Sequence, residues 1–353
     1  MAFRNTFPVA QSMLITGGAG FIGVNAAEHF IKKGWGVTIF DNFSRKGVEL
    51  NIAFLEKNYP GKFTVTRGDV RTDSDALKTA ADAHDVILHL AAQVAVTTSV
   101  KNPREDFGVN ALGTFNVLEA IRESKRKPIL LYASTNKVYG GLEGQKVIEE
   151  ADHYRFANLQ GGVTEEELLD FHSPYGCSKG AADQYVRDYA RLYDLKTVVF
   201  RQSCIYGQHQ FGIEDQGWVA WFLIAALLGR PIQIYGNGKQ VRDLLFIDDL
   251  IHAYDAAIEN ISTAAGQIYN LGGGPNNALS LLQFFAFLKN DLGMTISSSF
   301  ADWRPGDQPI FISDNSKAGN DLHWTAATEV HAGIRTLLQW LRDNKADIEK
   351  FYS

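Results

Sequence analysis

A tyrosine and a lysine stand four residues apart in this chain, at Tyr175 and Lys179, and this spacing suits proton-transfer chemistry. Residues four apart lie on the same face of a helix, so the ammonium would stand beside the phenol. A phenol ordinarily has a pKa of about 10, and a neighbouring cation favours its ionised form. The pair therefore predicts a base that removes a proton from an alcohol near neutral pH.

Two hydroxyl residues, Ser134 and Thr135, follow an apolar run over residues 129–132. A hydroxyl at this place can bridge a substrate oxygen and the phenol of Tyr175. The alternative is that both hydroxyls only cap the end of a strand by bonding to nearby backbone. Taken with the tyrosine–lysine pair, the position favours a catalytic set of Thr135, Tyr175 and Lys179.

Three glycines, Gly17, Gly20 and Gly23, follow the apolar run at residues 13–15 and open an amphipathic stretch over residues 20–33. In a strand–turn–helix unit, the first glycine permits a tight turn and the second lets backbone approach a diphosphate. The third lets the helix pack closely on the strand. Because free N–H groups at a helix start favour phosphate oxygens, the motif predicts a dinucleotide site.

The choice of dinucleotide depends on Asp41, at the end of the second apolar run. An acidic side chain there accepts hydrogen bonds from ribose hydroxyls and repels a 2′-phosphate, which favours NAD over NADP. Arg45 and Lys46 lie close by and can approach a 2′-phosphate instead. Asp69 is placed either to reach the adenine edge or to serve the start of a helix near residue 73.

The predicted NAD-binding residues come from the glycine turn, from the ends of the apolar runs and from the catalytic set. They are Gly17, Gly20, Phe21, Ile22, Gly23, Asp41, Asn42, Ser44, Arg45, Asp69, Val70, Leu90, Ala91, Ala92, Gln93, Ser134, Tyr175 and Lys179. A lone histidine, His89, precedes one of these groups and is interpreted as a packed strand residue rather than a catalyst.

The elements that would position these groups alternate between short apolar runs and amphipathic stretches. The strand candidates are residues 13–15, 37–40, 63–66, 86–90, 129–132, 197–200 and 267–271, and the helix candidates are residues 20–33, 73–81, 110–124 and 175–193. Such alternation predicts βαβ units and a parallel sheet covered on both faces. The expected fold class is α/β, a Rossmann-type doubly wound parallel sheet with a smaller mixed α/β C-terminal substrate domain.

The alternation breaks after residue 203, which predicts two interleaved domains. The NAD-binding domain is expected to comprise residues 1–203 and 244–275, and the substrate-binding domain residues 204–243 and 276–353. Residues 218–228 predict a buried helix, because the run is too short to span a bilayer. Residues 141–172 form a long, acidic connection, which suits either a lid over the active site or a surface insertion.

Composition argues against several classes of protein. The net charge is −6, and no dense basic run is present, which argues against a nucleic-acid partner. Two cysteines do not make a disulfide framework, and no export signal precedes the glycine turn, so a cytoplasmic location is expected. No apolar run is long enough for a membrane protein, and no residue cluster has the spacing of a metal site.

The glycine turn, Asp41, the serine–threonine pair and the tyrosine–lysine pair, in this order, resemble the extended short-chain dehydrogenase/reductases. The segment at residues 236–249, and Arg304 with Asp307, resemble the sugar-nucleotide branch of that family. Within that branch, four stretches are similar to the CDP-paratose (CDP-tyvelose) 2-epimerases, namely residues 41–47, 134–140, 170–180 and 215–219. The similarity spans almost the whole chain.

The resemblance implies an isomerase, an NAD-dependent epimerase of a nucleotide-linked sugar, with a CDP-linked substrate and inversion at C2. The sugar would be oxidised to a keto sugar and would then receive the hydride on its opposite face. Helices near residues 103–124 and 175–193 would pair in a homodimer or homotetramer. The predicted substrate-binding residues are Thr98, Thr135, Asn136, Cys204, Gln216, Arg242, Arg304 and Asp307.

Arg242 and Arg304 are assigned by the resemblance to the substrate diphosphate, in agreement with the bidentate geometry of guanidinium and phosphate. The alternative for either arginine is an ordinary surface charge. Related dehydratases carry an acid–base pair directly after the threonine, where this chain has Asn136 and Lys137, so dehydration is not expected. Three alternatives to the C2 epimerase are a C4 epimerase, a net oxidoreductase on another nucleotide sugar, and a non-catalytic nucleotide sensor.

Overall fold

The computed structural model describes residues 12–304 and 307–352. Its strands, in chain order, are β1 (Ser12–Thr16), β2 (Gly36–Asp41), β3 (Phe63–Arg67), β4 (Val86–His89), β5 (Ile129–Thr135), β6 (Val147–Glu149), β7 (Tyr154–Phe156), β8 (Thr197–Gln202), β9 (Cys204–Tyr206), β10 (Ile232–Tyr235), β11 (Val241–Phe246), β12 (Ile268–Leu271), β13 (Ala278–Ser280), β14 (Ser298–Ala301) and β15 (Ile310–Phe311).

The α-helices, in chain order, are α1 (Phe21–Lys32), α2 (Val48–Asn58), α3 (Ser74–Ala83), α4 (Val96–Lys101), α5 (Pro103–Phe107), α6 (Gly113–Glu123), α7 (Ser173–Tyr193), α8 (Trp218–Leu228), α9 (Ile247–Glu259), α10 (Ile261–Ala264), α11 (Leu281–Leu292), α12 (Ser316–Leu322), α13 (Val330–Asp343) and α14 (Lys345–Tyr352).

The main sheet has seven strands in the order β12-β8-β5-β4-β1-β2-β3, and all neighbouring pairs are parallel. Successive side chains of a strand point to opposite faces. Met13 and Ile15 accordingly join the core on one face of the sheet, and Leu14 joins the core on the other. Because both faces are covered, the central strands are largely apolar, whereas the edge strand β3 is mostly exposed. The predicted doubly wound sheet is confirmed.

A smaller mixed sheet is built around β11, which pairs antiparallel with β13 and parallel with β9 and β15. β11 runs through residues 243 and 244, so the predicted domain boundary falls inside a strand. The predicted buried helix over residues 218–228 is confirmed as α8, whose residues are apolar on every side.

Several element boundaries differ from those expected from the sequence. Ser134 and Thr135, expected just beyond a strand, are the last two residues of β5, because their backbone still pairs with β8. The strand expected over residues 86–90 ends at His89, and the helix expected over residues 110–124 is interrupted by a π-helical turn at Gly108–Leu112. The predictions omit α2, which begins after a glycine in the left-handed conformation.

The long connection at residues 141–172 packs against the smaller sheet. It contains the β6–β7 hairpin, and the Val163 N–H donates to the Ile312 carbonyl at 2.7 Å. Phe156 and Val163 are buried in a third apolar cluster, with Phe311 of β15. Of the two functions weighed for this segment, the contacts favour a packed insertion over a lid on the cofactor cavity.

No helix within residues 12–304 and 307–352 combines the length and the apolar character that a membrane crossing requires.

Candidate active site

A cavity of about 310 Å³ opens at the carboxyl ends of β1 and β4, where the direction of strand order reverses. Open parallel sheets bind ligands at this point, because the chain leaves neighbouring strands in opposite directions there. Every residue predicted to bind NAD lines this cavity: Gly17, Gly20, Phe21, Ile22, Gly23, Asp41, Asn42, Ser44, Arg45, Asp69, Val70, Leu90, Ala91, Ala92, Gln93, Ser134, Tyr175 and Lys179.

The glycine turn forms a cradle that side chains would fill. Gly17 has a φ of +69°, and a Cβ on it would lie 2.7 Å from the Ala91 nitrogen. A Cβ on Gly23 would lie 2.5 Å from the Cα of Gly18. No side chain caps the start of α1 at Gly20, so its first N–H groups remain available to an anion. This arrangement fits the diphosphate of a dinucleotide.

The Asp41 carboxylate is fixed beside this turn. It accepts hydrogen bonds from the backbone N–H groups of Ala19, at 3.1 Å, and Phe43, at 2.8 Å. Asp41 is thereby held at the cavity wall, where it suits a pair of ribose hydroxyls and disfavours a phosphate.

The two cations near Asp41 have partners of their own. The Arg45 guanidinium donates to the side-chain oxygen of Gln216, and the Lys46 ammonium donates to the Phe351 carbonyl of α14. Both partners are neutral oxygens, so these bonds hold the two side chains without cancelling their charge. The Asp41 carboxylate is therefore the feature that agrees with NAD rather than NADP.

Asp69 lines the cavity and is held by charged and polar neighbours. Arg71 donates to both of its carboxylate oxygens, and Asn42 donates to one of them at 3.0 Å. The Arg71 guanidinium holds the pKa of this carboxyl well below its usual range. The backbone N–H of Asp69 donates to Asp73 at 2.7 Å, and the Asp69 carboxylate accepts the backbone N–H of Arg71 at 2.9 Å, so the adenine contact and the role at the start of α3 both stay predictions.

Tyr175 and Lys179 lie on α7 and line the cavity, and Thr135 reaches Tyr175 from the end of β5. Burial raises the pKa of Tyr175 to about 12, and the hydrogen bond with Thr135 opposes this rise. Burial lowers the pKa of Lys179 to about 7, and its Nζ lies 2.5 Å from the Ala133 carbonyl. The expected effect of the ammonium on the phenol is therefore outweighed by burial, which disfavours both charged forms.

The end of β5 is anchored by a buried ion pair. Ser134 donates to Asp183 at 2.7 Å, and Asp183 pairs with Arg201 at 3.0 Å, with 0% and 2% of their side chains exposed. Arg201 also donates to the Tyr139 hydroxyl. The network fixes the backbone that carries Thr135.

Sequence reasoning missed a second buried carboxylate, Asp106, beside α7. Ser178 donates to it at 2.5 Å, Gln93 at 2.9 Å and Asn110 at 3.1 Å. These contacts join α7 to the end of β4 and to the π-helical turn. Ser178 and Asp106 are 72 residues apart, so no local spacing signals their contact.

His89 is buried and takes no part in the cavity wall. Its ring nitrogens lie 2.6 Å from the Thr16 hydroxyl and 3.0 Å from the Thr114 hydroxyl. Burial lowers the pKa of His89 to about 3, which keeps the ring neutral. The interpretation of a packed strand histidine is confirmed.

Five of the predicted substrate-binding residues lie near the catalytic threonine or around β11. Asn136 lies 3.4 Å from the Thr135 hydroxyl. Arg242 donates to Asp307 at 2.7 Å, and Cys204 lies on the paired strand β9. Burial raises the pKa of the Cys204 thiol to about 11, so this side chain is neutral.

The other three lie elsewhere. Thr98 is exposed on α4, and Gln216 lines the cofactor cavity. Arg304 lies 3.2 Å from Asp215 and stacks over the ring of Tyr235. The substrate roles of all these residues stay predictions.

A family model described as the NAD dependent epimerase/dehydratase family matches residues 13–272. The chain belongs to this family. Its sequence is 42% identical to a CDP-paratose 2-epimerase from Salmonella typhi, over 94% of this chain and 99% of the relative. It is 28% identical to a putative UDP-glucose 4-epimerase from Methanocaldococcus jannaschii, over 94% of this chain and 99% of that protein.

Solved structures of the family agree with the fold. A UDP-glucuronic acid 4-epimerase from Bacillus cereus, crystallised with UDP-glucuronic acid and NAD, has a TM-score of 0.81 and 27% identity, covering 94% of this chain and 99% of that one. A dTDP-glucose 4,6-dehydratase from Streptomyces venezuelae, with NAD bound, has a TM-score of 0.82 and 25% identity, covering 96% and 99%. At the level of the family, the predictions of an NAD-dependent enzyme of the isomerase class and of nucleotide-sugar substrates are confirmed.

Proposed function

We propose that the chain inverts C2 of CDP-paratose to give CDP-tyvelose, or acts in this way on a close analogue. The observation that carries the proposal is the surroundings of Tyr175. Tyr175 lines the cofactor cavity and its titration is influenced by the Thr135 side chain, and the two residues after Thr135, Asn136 and Lys137, supply no carboxylate for an elimination. The high identity to a CDP-paratose 2-epimerase supports the choice of sugar and carbon.

In this proposal the chain binds NAD with residues 1–203 and 244–275, and binds the nucleotide sugar with residues 204–243 and 276–353. When bound, oxidised NAD supplies a hydride acceptor and a positively charged ring. Tyr175 takes the proton of the sugar hydroxyl, with Thr135 as the relay between them. Lys179 stabilises the ionised phenol once positive charge is added to the site, since burial by itself keeps the phenol protonated.

The test is a panel of CDP-, UDP- and dTDP-linked sugars, followed by NMR in D2O without added NAD. We expect inversion at C2 of a CDP-linked sugar, with no deuterium at the inverted carbon, because the hydrogen returns from the cofactor rather than from water. Inversion only at C4 would replace the proposal with a C4 epimerase. Consumption of added NAD in proportion to product would replace it with a net oxidoreductase, and no turnover of any sugar would favour a nucleotide sensor.

The proposal extends to a homodimer or homotetramer built on α5, α6 and α7. These helices and the π-helical turn before α6 expose several large apolar side chains, namely Phe107 at 60%, Leu192 at 67%, Leu112, Phe115 and Tyr185. A contiguous apolar face of this kind marks an interface between proteins. Light scattering should give at least twice the mass of one chain, with Leu192→Glu shifting the mass downward; a monomeric wild-type protein would contradict this assembly.

A further inference from the structure

A group of charged side chains lies next to Thr135 and is not part of the cofactor cavity wall. Lys137 follows the threonine by two residues, and its backbone N–H donates to the Thr135 hydroxyl at 3.3 Å. Its ammonium lies 3.8 Å from Asp307 and 3.2 Å from the side-chain oxygen of Gln308. Arg242 donates to the same Asp307 oxygen at 2.7 Å.

The charges of this group do not balance. Lys137 and Arg242 supply two positive charges, Asp307 supplies one negative charge, and Gln308 is neutral, which leaves a net charge of +1. The Lys137 and Arg242 side chains are only 21% and 14% exposed. An excess charge in so little water is costly unless an anion joins it.

The Lys137 ammonium also has more hydrogen-bond donors than it uses. An ammonium carries three N–H donors, and Gln308 is the one hydrogen-bond acceptor of this ammonium among residues 12–304 and 307–352. Burial, with the repulsion of Arg242 added, lowers the pKa of Lys137 to about 8. An incoming anion would relieve both effects and favour the protonated form.

Arg304 has different surroundings from Arg242, although the family resemblance assigns both arginines to the substrate diphosphate. Its guanidinium lies 3.2 Å from Asp215 and 3.9 Å from Glu214, so two carboxylates already surround this one cation. It also stacks over Tyr235. The uncompensated positive charge lies instead at Lys137 and Arg242.

We propose that Lys137 is a substrate-binding residue that, together with Arg242, holds the diphosphate of the nucleotide sugar. This inference rests on the proposed function for its class of ligand, a nucleoside diphosphate. Lys137 connects the two ends of such a ligand's path, because its backbone N–H reaches Thr135 and its ammonium shares the Asp307 oxygen with Arg242. Fixing the diphosphate there leaves the sugar free to present its opposite face.

The experiment measures binding of CDP, UDP, dTDP and the corresponding nucleosides to the NAD-loaded protein by calorimetry. The variants are Lys137→Met, Lys137→Arg and, as a matched control, Lys62→Met on the exposed surface. Because Lys137→Met removes the hydrogen bonds between a charged ammonium and the diphosphate, we expect it to weaken diphosphate binding by about 10- to 100-fold. Nucleoside binding should be unchanged, and Lys137→Arg should retain most of the affinity.

Unchanged diphosphate affinity in Lys137→Met, with an unfolding temperature equal to that of the wild type, would overturn the inference. Equal losses for nucleoside and diphosphate would also overturn it, because they would indicate a general disturbance of the site. A lower kcat with unaltered diphosphate binding would assign Lys137 to the sugar instead. None of the binding probes carries the sugar that is joined to the diphosphate of the substrate, so the binding outcome is independent of whether C2 or C4 is inverted.

Discussion

Replacement of Gly23 by alanine tests whether the glycine turn is shaped for a dinucleotide. The new Cβ would lie 2.5 Å from the Gly18 Cα, 2.6 Å from the Gly18 carbonyl oxygen and 2.7 Å from that of Gly17. Non-bonded carbons prefer about 3.5–4.0 Å, so the overlap is roughly 1 Å and all of it involves backbone. The turn must therefore move away from α1.

Two effects of the substitution oppose each other. Overpacking of this kind costs about 1–3 kcal/mol, whereas alanine in place of glycine inside a helix gains up to about 1 kcal/mol. The overlap exceeds what a side-chain rotation can relieve, because only backbone atoms are in the way. The helix gain is the same in the free and the NAD-bound protein, so only the overpacking cost affects binding. Since about 1.4 kcal/mol is a factor of ten, returning the displaced turn against about 1–3 kcal/mol should lower the NAD affinity by roughly 5- to 140-fold.

The assay is calorimetric titration of NAD into protein freed of cofactor, with the unfolding temperature measured in parallel. Gly144→Ala is the matched control, because no heavy atom lies within 4 Å of the Cβ it would add. An NAD affinity in Gly23→Ala within twofold of the wild type would refute the assignment of this turn to the diphosphate.

Three further predictions concern the catalytic base, the buried ion pair and pH. Tyr175→Phe should lower kcat by at least about 100-fold while leaving the amount of bound NAD unchanged. The control Tyr185→Phe, on the same helix, should leave kcat unchanged. Full activity of Tyr175→Phe would exclude Tyr175 as the base. Asp183→Asn leaves the buried Arg201 without its carboxylate partner, so the free energy of unfolding measured by urea denaturation should fall by about 3–5 kcal/mol. A change under about 1 kcal/mol would contradict the role of this ion pair. The pKa of His89 is about 3 in the folded protein and about 6.5 in the unfolded protein, so the unfolded state binds more protons between these pH values. Acidification through this range should therefore lower the free energy of unfolding, by up to about 1.4 kcal/mol per pH unit. His89→Gln should make this slope shallower, and an unchanged slope would disprove the contribution.

The parts of the site whose residues are neighbours along the chain could be predicted from residue types and spacing. The glycine turn works through a strand, a turn and a helix start, and Tyr175 and Lys179 share a face because they lie four apart on α7. Backbone geometry fixes such contacts within one or two turns of structure. The parallel sheet followed in the same way from the alternation of apolar runs and helices.

Contacts between charges far apart in the chain, and the depth of their burial, could be found only from the folded chain. Arg242 contacts Asp307 across 65 residues, and Lys137 reaches Gln308 across 171. Arg304 carries the same charge as Arg242 but is compensated by acidic neighbours on another loop. Burial likewise raises the phenol pKa of Tyr175, against the expectation from its lysine. The physical reason is that desolvation and long-range pairing depend on what packs around a group, and residue spacing carries no information about that packing.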